Sequence, residues 1–198
     1  VHGSIGSNGR FVKRNGETEM RKIVEASFVS LDGVVDSPQD WALPNWDADN
    51  RKYALDRLSE MDSFLFGRKT YEIFAARLGD DEYADRIYNL HKFVVSKTLS
   101  ENSPNATVIK GNIAEEISKI KGLPGKNILK YGTSELDQLL IKHNLIDEFR
   151  FTVVPVVVGT GRRLFEGIDT GHLKLRVTNT VSFPNGYALF TYLPGYSR

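Results

Sequence analysis

Phe64-Leu65-Phe66-Gly67-Arg68-Lys69-Thr70-Tyr71 is an apolar run that ends in a glycine, two cations and a threonine, after which a helical pattern begins. Tyr71, Phe74, Ala75 and Leu78 recur at i, i+3, i+4 and i+7, which is one face of a helix. The segment reads as a short strand over residues 63–66 turning into a helix over 71–78, with Thr70 as the N-cap. A helix N-terminus exposes N–H donors and carries a partial positive charge. Gly67 lets a ligand approach the backbone, and Arg68 and Lys69 bring charge to where a phosphate would sit. Taken alone, the stretch is either a strand-to-helix turn with two solvated cations or a phosphate cradle.

The same alternation extends in both directions. Strands are predicted over residues 22–29, 92–96, 107–110, 127–131 and 148–158. Helices are predicted over 48–60, 81–89, 113–121 behind an Asn112 cap, and after Ser134, where Ser134 and Asp137 have capping-box spacing. Pro184-Asn185-Gly186 separates two last strands, 173–183 and 187–193, as a hairpin. Strands alternating with helices and then a hairpin imply an α/β, three-layer fold. Its central sheet is mostly parallel with an antiparallel C-terminal hairpin, and helices cover both faces. Pro155 requires an edge, a bulge or a strand end, so the strand over 148–158 is irregular there. Residues 34–45 read as irregular.

With 198 residues the chain suits one substantial domain, placed at 20–198. Residues 1–19 are polar and glycine-rich without an apolar period, and read as a disordered leader or tag, with Met20 as a natural start. A formal charge of +1 gives no electrostatic case for nucleic acid or an anionic membrane. The longest apolar run, near 152–158, is far short of the ~20 residues that cross a bilayer. Cysteine is absent, which excludes disulfides and thiolate chemistry and fits a reducing, cytoplasmic compartment. His2, His91, His143 and His172 lack metal-ligand spacing, so no metal site is expected. Neither a Gly-x-Ser-x-Gly nor a Walker motif is present.

In a parallel sheet, ligands gather outside the carboxyl ends of the strands. Beside Gly67–Thr70, three further strand ends carry suitable residues: Ser96-Lys97-Thr98, Gly132-Thr133-Ser134 and Gly159-Thr160-Gly161-Arg162-Arg163. Each is either an ordinary polar or glycine turn or a place to hold phosphate. The Gly159 segment is not a Rossmann fingerprint, because Gly167 interrupts it and Thr180 stands where an acidic residue is needed. Asp32-Gly33 is either a tight turn or a carboxylate bordering the site. Trp41 and Trp46 can form a lid with aromatic faces for a planar ring, or pin a loop. Asp47 can pair with a ring nitrogen or cap the next helix.

In order along the chain, these pieces resemble the dihydrofolate reductase-like superfamily. More closely they resemble stand-alone proteins grouped with the reductase (C-terminal) domain of the riboflavin-biosynthesis protein RibD. The matching pieces are Ser30–Gly33, Leu65–Glu72, Val94–Thr98, Ile128–Leu136 and Asp147–Arg150, continuing through Pro155 to Gly159–Phe165. The resemblance implies an NADPH-binding fold that transfers hydride to a planar nitrogen heterocycle or a ribosylaminopyrimidine-type small molecule, like a 5-amino-6-(5-phosphoribosylamino)uracil reductase. It implies that Gly67, Arg68, Lys69 and Thr70 hold cofactor phosphate, that Ser96 and Lys97 lie near the adenosine 2′-phosphate, and that Gly132, Thr133 and Ser134 approach the pyrophosphate. Gly159 and Gly161 would touch the cofactor through backbone. Asp32 would border the nicotinamide and substrate, Asp47 would stand near the folate reductases' carboxylate, and a homodimer is expected. The zinc deaminase ligands of the bifunctional riboflavin enzyme are missing here, so the chain can be at most the reductase half. Two other expectations stay open on the same fold: a nucleotide- or pterin-binding module without turnover, and a dimerisation domain.

Overall fold

A computed structural model describes residues 20–76, 81–99 and 105–196. The elements in chain order are β1 (Ile23–Ser30), α1 (Pro38–Trp41), a 3-10 turn (Leu43–Asn45), α2 (Ala48–Leu58), β2 (Met61–Gly67), α3 (Arg68–Ala75), α4 (Glu82–Asn89), β3 (His91–Val95), β4 (Ala106–Ile109), α5 (Ile113–Gly122), β5 (Asn127–Tyr131), α6 (Glu135–Lys142), β6 (Glu148–Val154), β7 (Lys174–Ser182) and β8 (Ala188–Gly195). The proposed leader, residues 1–19, and Leu78 of the predicted helical face lie outside the described residues. Among the described residues no helix is long and apolar enough to cross a membrane.

The eight strands form one sheet in the order β4-β3-β2-β5-β1-β6-β8-β7. The first six run parallel, and β8 and β7 close the far edge antiparallel. Side chains alternate across the sheet, so each strand feeds two layers. Val24, Phe64, Phe66, Val94 and Leu129 pack with Leu58 of α2, Tyr71 of α3 and Ile87 of α4 on one face. Ile23, Leu65, Ile128, Phe149 and Phe151 pack with Ile117 of α5 and Leu140 and Ile141 of α6 on the other. A small third cluster joins Ala42, Val154 and Tyr187 with Trp41, Trp46 and Phe28.

Local readings change over residues 34–45, where α1 and the 3-10 turn lie, and at the ends of β2 and β6. The helix after β2 begins at Arg68, with Gly67 in the N-cap position and no side-chain cap, so Thr70 is its third residue and not its cap. Strand passes into helix with no linker: Gly67 keeps an extended backbone (φ −77°, ψ 161°) and is at once the last strand residue and the N-cap. The strand over 148–158 stops at Val154, just before Pro155, which lacks the N–H a ladder needs. Elsewhere the local chemistry acts as written. Ser134 and Asp137 form a capping box, Asn112 caps α5, and Gly186 turns the last hairpin at φ +86°.

This topology produces a crevice between β1 and β5. The chain leaves β1 through α2 on one face and leaves β5 through α6 on the other. Ala26 and Tyr131 are cross-strand neighbours at that divide, and the Gly132 N–H donates to the Ala26 carbonyl at 2.9 Å. Open α/β sheets bind ligands at such switch points.

Candidate functional site

β3, β2, β5, β1 and β6 are consecutive and parallel, so their carboxyl ends share one edge of the sheet. Ser96, Gly67, Gly132, Asp32 and Gly159 all follow on that edge, one per strand end. An added Cβ at Gly67, Gly132 or Gly159 would meet nothing within 4 Å, so open space lies against the backbone there. Gly132 and Gly159 have φ of +72° and +87°, a region that side chains disfavour.

Two loops on this edge are stitched together. The Asp32 carboxylate accepts from the N–H of Val158 (3.0 Å) and of Gly159 (2.8 Å) and from the Ser30 hydroxyl (2.7 Å). The Val158 N–H, then the Ser30 hydroxyl and the Gly159 N–H, hold its pKa down to about 2. Asp32 is therefore an ionised anchor for the glycine turn near neutral pH and has no proton to give. Arg163 donates to the Asp32 carbonyl at 2.8 Å, and Val34 and Arg163 form a β-bridge. A Cβ on Gly161 would lie 2.8 Å from Val34 Cγ1, so this glycine serves loop-to-loop packing. Arg162 then links the pair to the β5 end, donating to the Thr133 carbonyl at 2.6 Å.

The β5 turn has a buried support on the opposite sheet face. Lys130 Nζ lies 2.7 Å from Asp137 Oδ1 and 3.7 Å from Glu25 Oε2, and all three side chains are nearly inaccessible. Lys130 also donates to the Gly132 carbonyl at 2.5 Å. Burial pushes the Glu25 pKa well up, with Lys130 opposing and Asp137 reinforcing the shift.

The cations sit outside this frame. Arg68 pairs with Glu72 at 2.7 Å, both half-exposed, an ion pair worth only about 0.3–0.5 kcal/mol and so easily exchanged for a ligand phosphate. Lys69 and Lys97 are exposed, and the Ser96 Oγ accepts from the N–H of Thr98 (3.2 Å) and of Leu99 (3.0 Å).

A cavity of about 110 Å³ lies where α2 crosses β1 and β5. Its size is comparable with the ~150 Å³ cavity known to take up a benzene ring. Phe28, Trp46, Tyr53, Tyr83, Tyr131 and Phe183 supply its aromatic walls. Asn50, Tyr53, Ala54 and Arg57 face it from α2 at i, i+3, i+4 and i+7, and Arg150 and Thr152 face it from β6. Burial alone would lower the Arg150 pKa, but Glu148 (2.5 Å) and Glu60 (3.1 Å) raise it. Trp46 stands edge-on to Tyr83 at 5.0 Å.

Of the residues selected from sequence, Trp46 lines the cavity, whereas Trp41 packs in the third cluster and donates to the Asp36 carbonyl at 2.8 Å. Asp47 is the N-cap of α2, its Oδ1 accepting from the N–H groups of Asp49 and Asn50, both at 3.1 Å. The cavity residues of α2 escape a search for apolar periodicity because that face mixes an aromatic with an amide and a guanidinium. Tyr131 had a signal, its place immediately before the Gly132 turn.

The family model for the RibD C-terminal domain matches residues 21–189. The uncharacterized protein YyaP of Bacillus subtilis (strain 168) is 31% identical, the alignment covering 88% of this chain and 95% of YyaP. A riboflavin-biosynthesis candidate of Shewanella sp. PV-4 has a similar solved structure, with a TM-score of 0.71 at 22% identity over 89% of this chain and all (100%) of that one. The dihydrofolate reductase of Enterococcus faecalis, solved with NADP(H) and RAB-propyl, reaches a TM-score of 0.60 at 17% identity over 88% of this chain and 97% of that one.

Proposed function

Because the chain belongs to the RibD C-terminal domain family, we propose that it is an NADPH-dependent reductase transferring hydride to a planar nitrogen heterocycle or to a ribosylaminopyrimidine-type small molecule. The observation that carries this reading is the placement of the aromatic cavity at the β1/β5 crevice, where its wall residue Tyr131 immediately precedes the open backbone of Gly132. The similar E. faecalis dihydrofolate reductase was solved with NADP(H), which favours the same cofactor here.

The residues present fit a dinucleotide. Its pyrophosphate would lie against Gly132, Thr133 and Ser134, where a side chain at Gly132 would fill the open space. Arg68, Lys69 and Thr70 would hold phosphate with the uncapped N-terminal turn of α3, and Ser96 and Lys97 would meet the extra 2′-phosphate. Bound NADPH supplies the hydride. The protein positions the acceptor ring between aromatic faces and excludes water from it.

Fluorescence titration of NADPH and NADH against wild type and Arg68→Ala tests the reading. NADPH should bind more tightly than NADH, and Arg68→Ala should weaken NADPH roughly 3- to 10-fold, the worth of one charge-assisted contact at an exposed site. If neither dinucleotide binds below the millimolar range, the reading fails.

One observation favours a second reading, a ligand-binding module without turnover. Asp32 and Asp47 both commit carboxylate oxygens to backbone N–H groups, so neither is a ready proton donor. Steady NADPH consumption with any pteridine or ribosylaminopyrimidine would rule that module out.

A further inference from the structure

Tyr131 is the last residue of β5, and Tyr83 lies in the first turn of α4. Their hydroxyl oxygens are 2.5 Å apart, and both side chains line the aromatic cavity. The rings are fixed: Tyr131 stacks on Phe74 at 5.6 Å and 10°, and Tyr83 meets Trp46 edge-on at 5.0 Å. Each phenol has one proton and can also accept. Their mutual bond uses one of the two protons, so the other can serve a third group. Inside a cavity walled by aromatic rings, a ligand acceptor suits that proton. A pair that merely satisfied itself would not need to stand at the rim of the β1/β5 crevice, one residue before the Gly132 turn.

We propose that the Tyr131 hydroxyl is the hydrogen-bond and proton donor to a ring nitrogen of the substrate, with Tyr83 as the positioning residue that donates to Tyr131. This rests on the reductase reading for its chemistry, though not for the hydrogen bond itself. As a carbon of a ring C=N bond receives hydride, the π pair moves to nitrogen, which takes the Tyr131 proton. The Tyr131 phenolate, steadied by the hydrogen bond from the Tyr83 hydroxyl, is reprotonated from water. The balance is one hydride and one proton added across C=N, with the dihydronicotinamide oxidised. Burial supports the assignment by keeping both phenols protonated near neutral pH: it pushes Tyr131 up to about 12, with the Tyr83 hydrogen bond opposing, and it pushes Tyr83 well above the ordinary value.

The test needs no turnover. Quinazoline, which has ring-nitrogen acceptors, and naphthalene, its carbocyclic equivalent, are titrated against tryptophan fluorescence of wild type, Tyr131→Phe and Tyr83→Phe. Both variants keep the ring and its packing, and their thermal unfolding is recorded alongside. Wild type should prefer quinazoline. Tyr131→Phe should lose roughly 3- to 10-fold in quinazoline affinity, one hydrogen bond, with naphthalene unchanged. Tyr83→Phe should stay within about 2-fold of wild type, because Tyr131 keeps its own proton. Equal losses in both variants, no loss in Tyr131→Phe, or no quinazoline preference in wild type each overturn the proposal. NADPH titrated against the same three proteins reports separately on the reductase reading, and all three should bind it equally.

Discussion

Replacing Lys130 with methionine should cost the fold about 3–5 kcal/mol, the range for removing one partner from a buried ion pair. The structure places this change at the severe end of single substitutions. Lys130 is 2% exposed, and Asp137 and Glu25 are both 0% exposed. Asp137 Oδ1 has Lys130 at 2.7 Å, and neither Glu25 oxygen has a hydrogen-bond partner. Methionine fills the volume but leaves two carboxylates facing each other without a cation. For a chain of this size, a loss of that order lowers the Tm by roughly 6–20 °C. The loss should also depend on pH. The folded Glu25 pKa stands above its unfolded value, so folding takes up a proton between the two, and stability falls as pH rises through that window. Without Lys130 the window widens upward, so the variant's loss relative to wild type should be larger above the wild-type folded pKa than below the unfolded one, read in an alkaline and an acidic buffer. Urea and thermal unfolding at both pH values check this. A Tm within about 2 °C of wild type at both, corresponding to about 0.5–1 kcal/mol, would refute the assignment of Lys130 as the neutralising group.

Two other substitutions probe the stitched loops. Gly161→Ala puts a Cβ 2.8 Å from Val34 Cγ1 at a backbone φ of +123°, and should cost about 1–3 kcal/mol in thermal unfolding. An unchanged Tm would show that the two loops part freely. Asp32→Asn removes a carboxylate whose folded pKa, about 2, lies below its unfolded value, so its contribution is present above the unfolded pKa and is lost as pH falls toward about 2. The variant should be less stable near neutral pH and show a flatter acid limb in urea midpoints, and superimposable acid limbs would contradict the anchoring role.

Local signals in the sequence carried far because they act through chemistry that needs no partner across the fold. Pro155 has no N–H to give a ladder, Ser134 and Asp137 close a capping box within four residues, and Asn185-Gly186 turns a hairpin by itself. Thr70 misled for the same local reason: its hydroxyl suits an N-cap, but the strand delivers the chain to the helix already at Gly67. Residues 34–45 read as irregular, yet α1 and the 3-10 turn lie there, too short for an apolar period to show. What stayed hidden depends on juxtaposition. Tyr83 and Tyr131 are 48 residues apart, and only the passage of α4 over the β5 end joins their hydroxyls. Glu25, Lys130 and Asp137 are charged residues in positions that look like solvent-facing ones until β1, β5 and α6 stack.

The stitching of Asp32 to Gly159 also governs when the site exists. The turn's two N–H groups end on a carboxylate 126 and 127 residues earlier in the chain, so the turn has no shape until β1 and β6 are docked. Closing so long a loop costs chain entropy that the docked strands repay. Any ligand lying against Gly159 then sees only the fully assembled sheet. Its binding therefore draws on the stability of the whole domain, and a shift in unfolding temperature reports occupancy before any substrate is known.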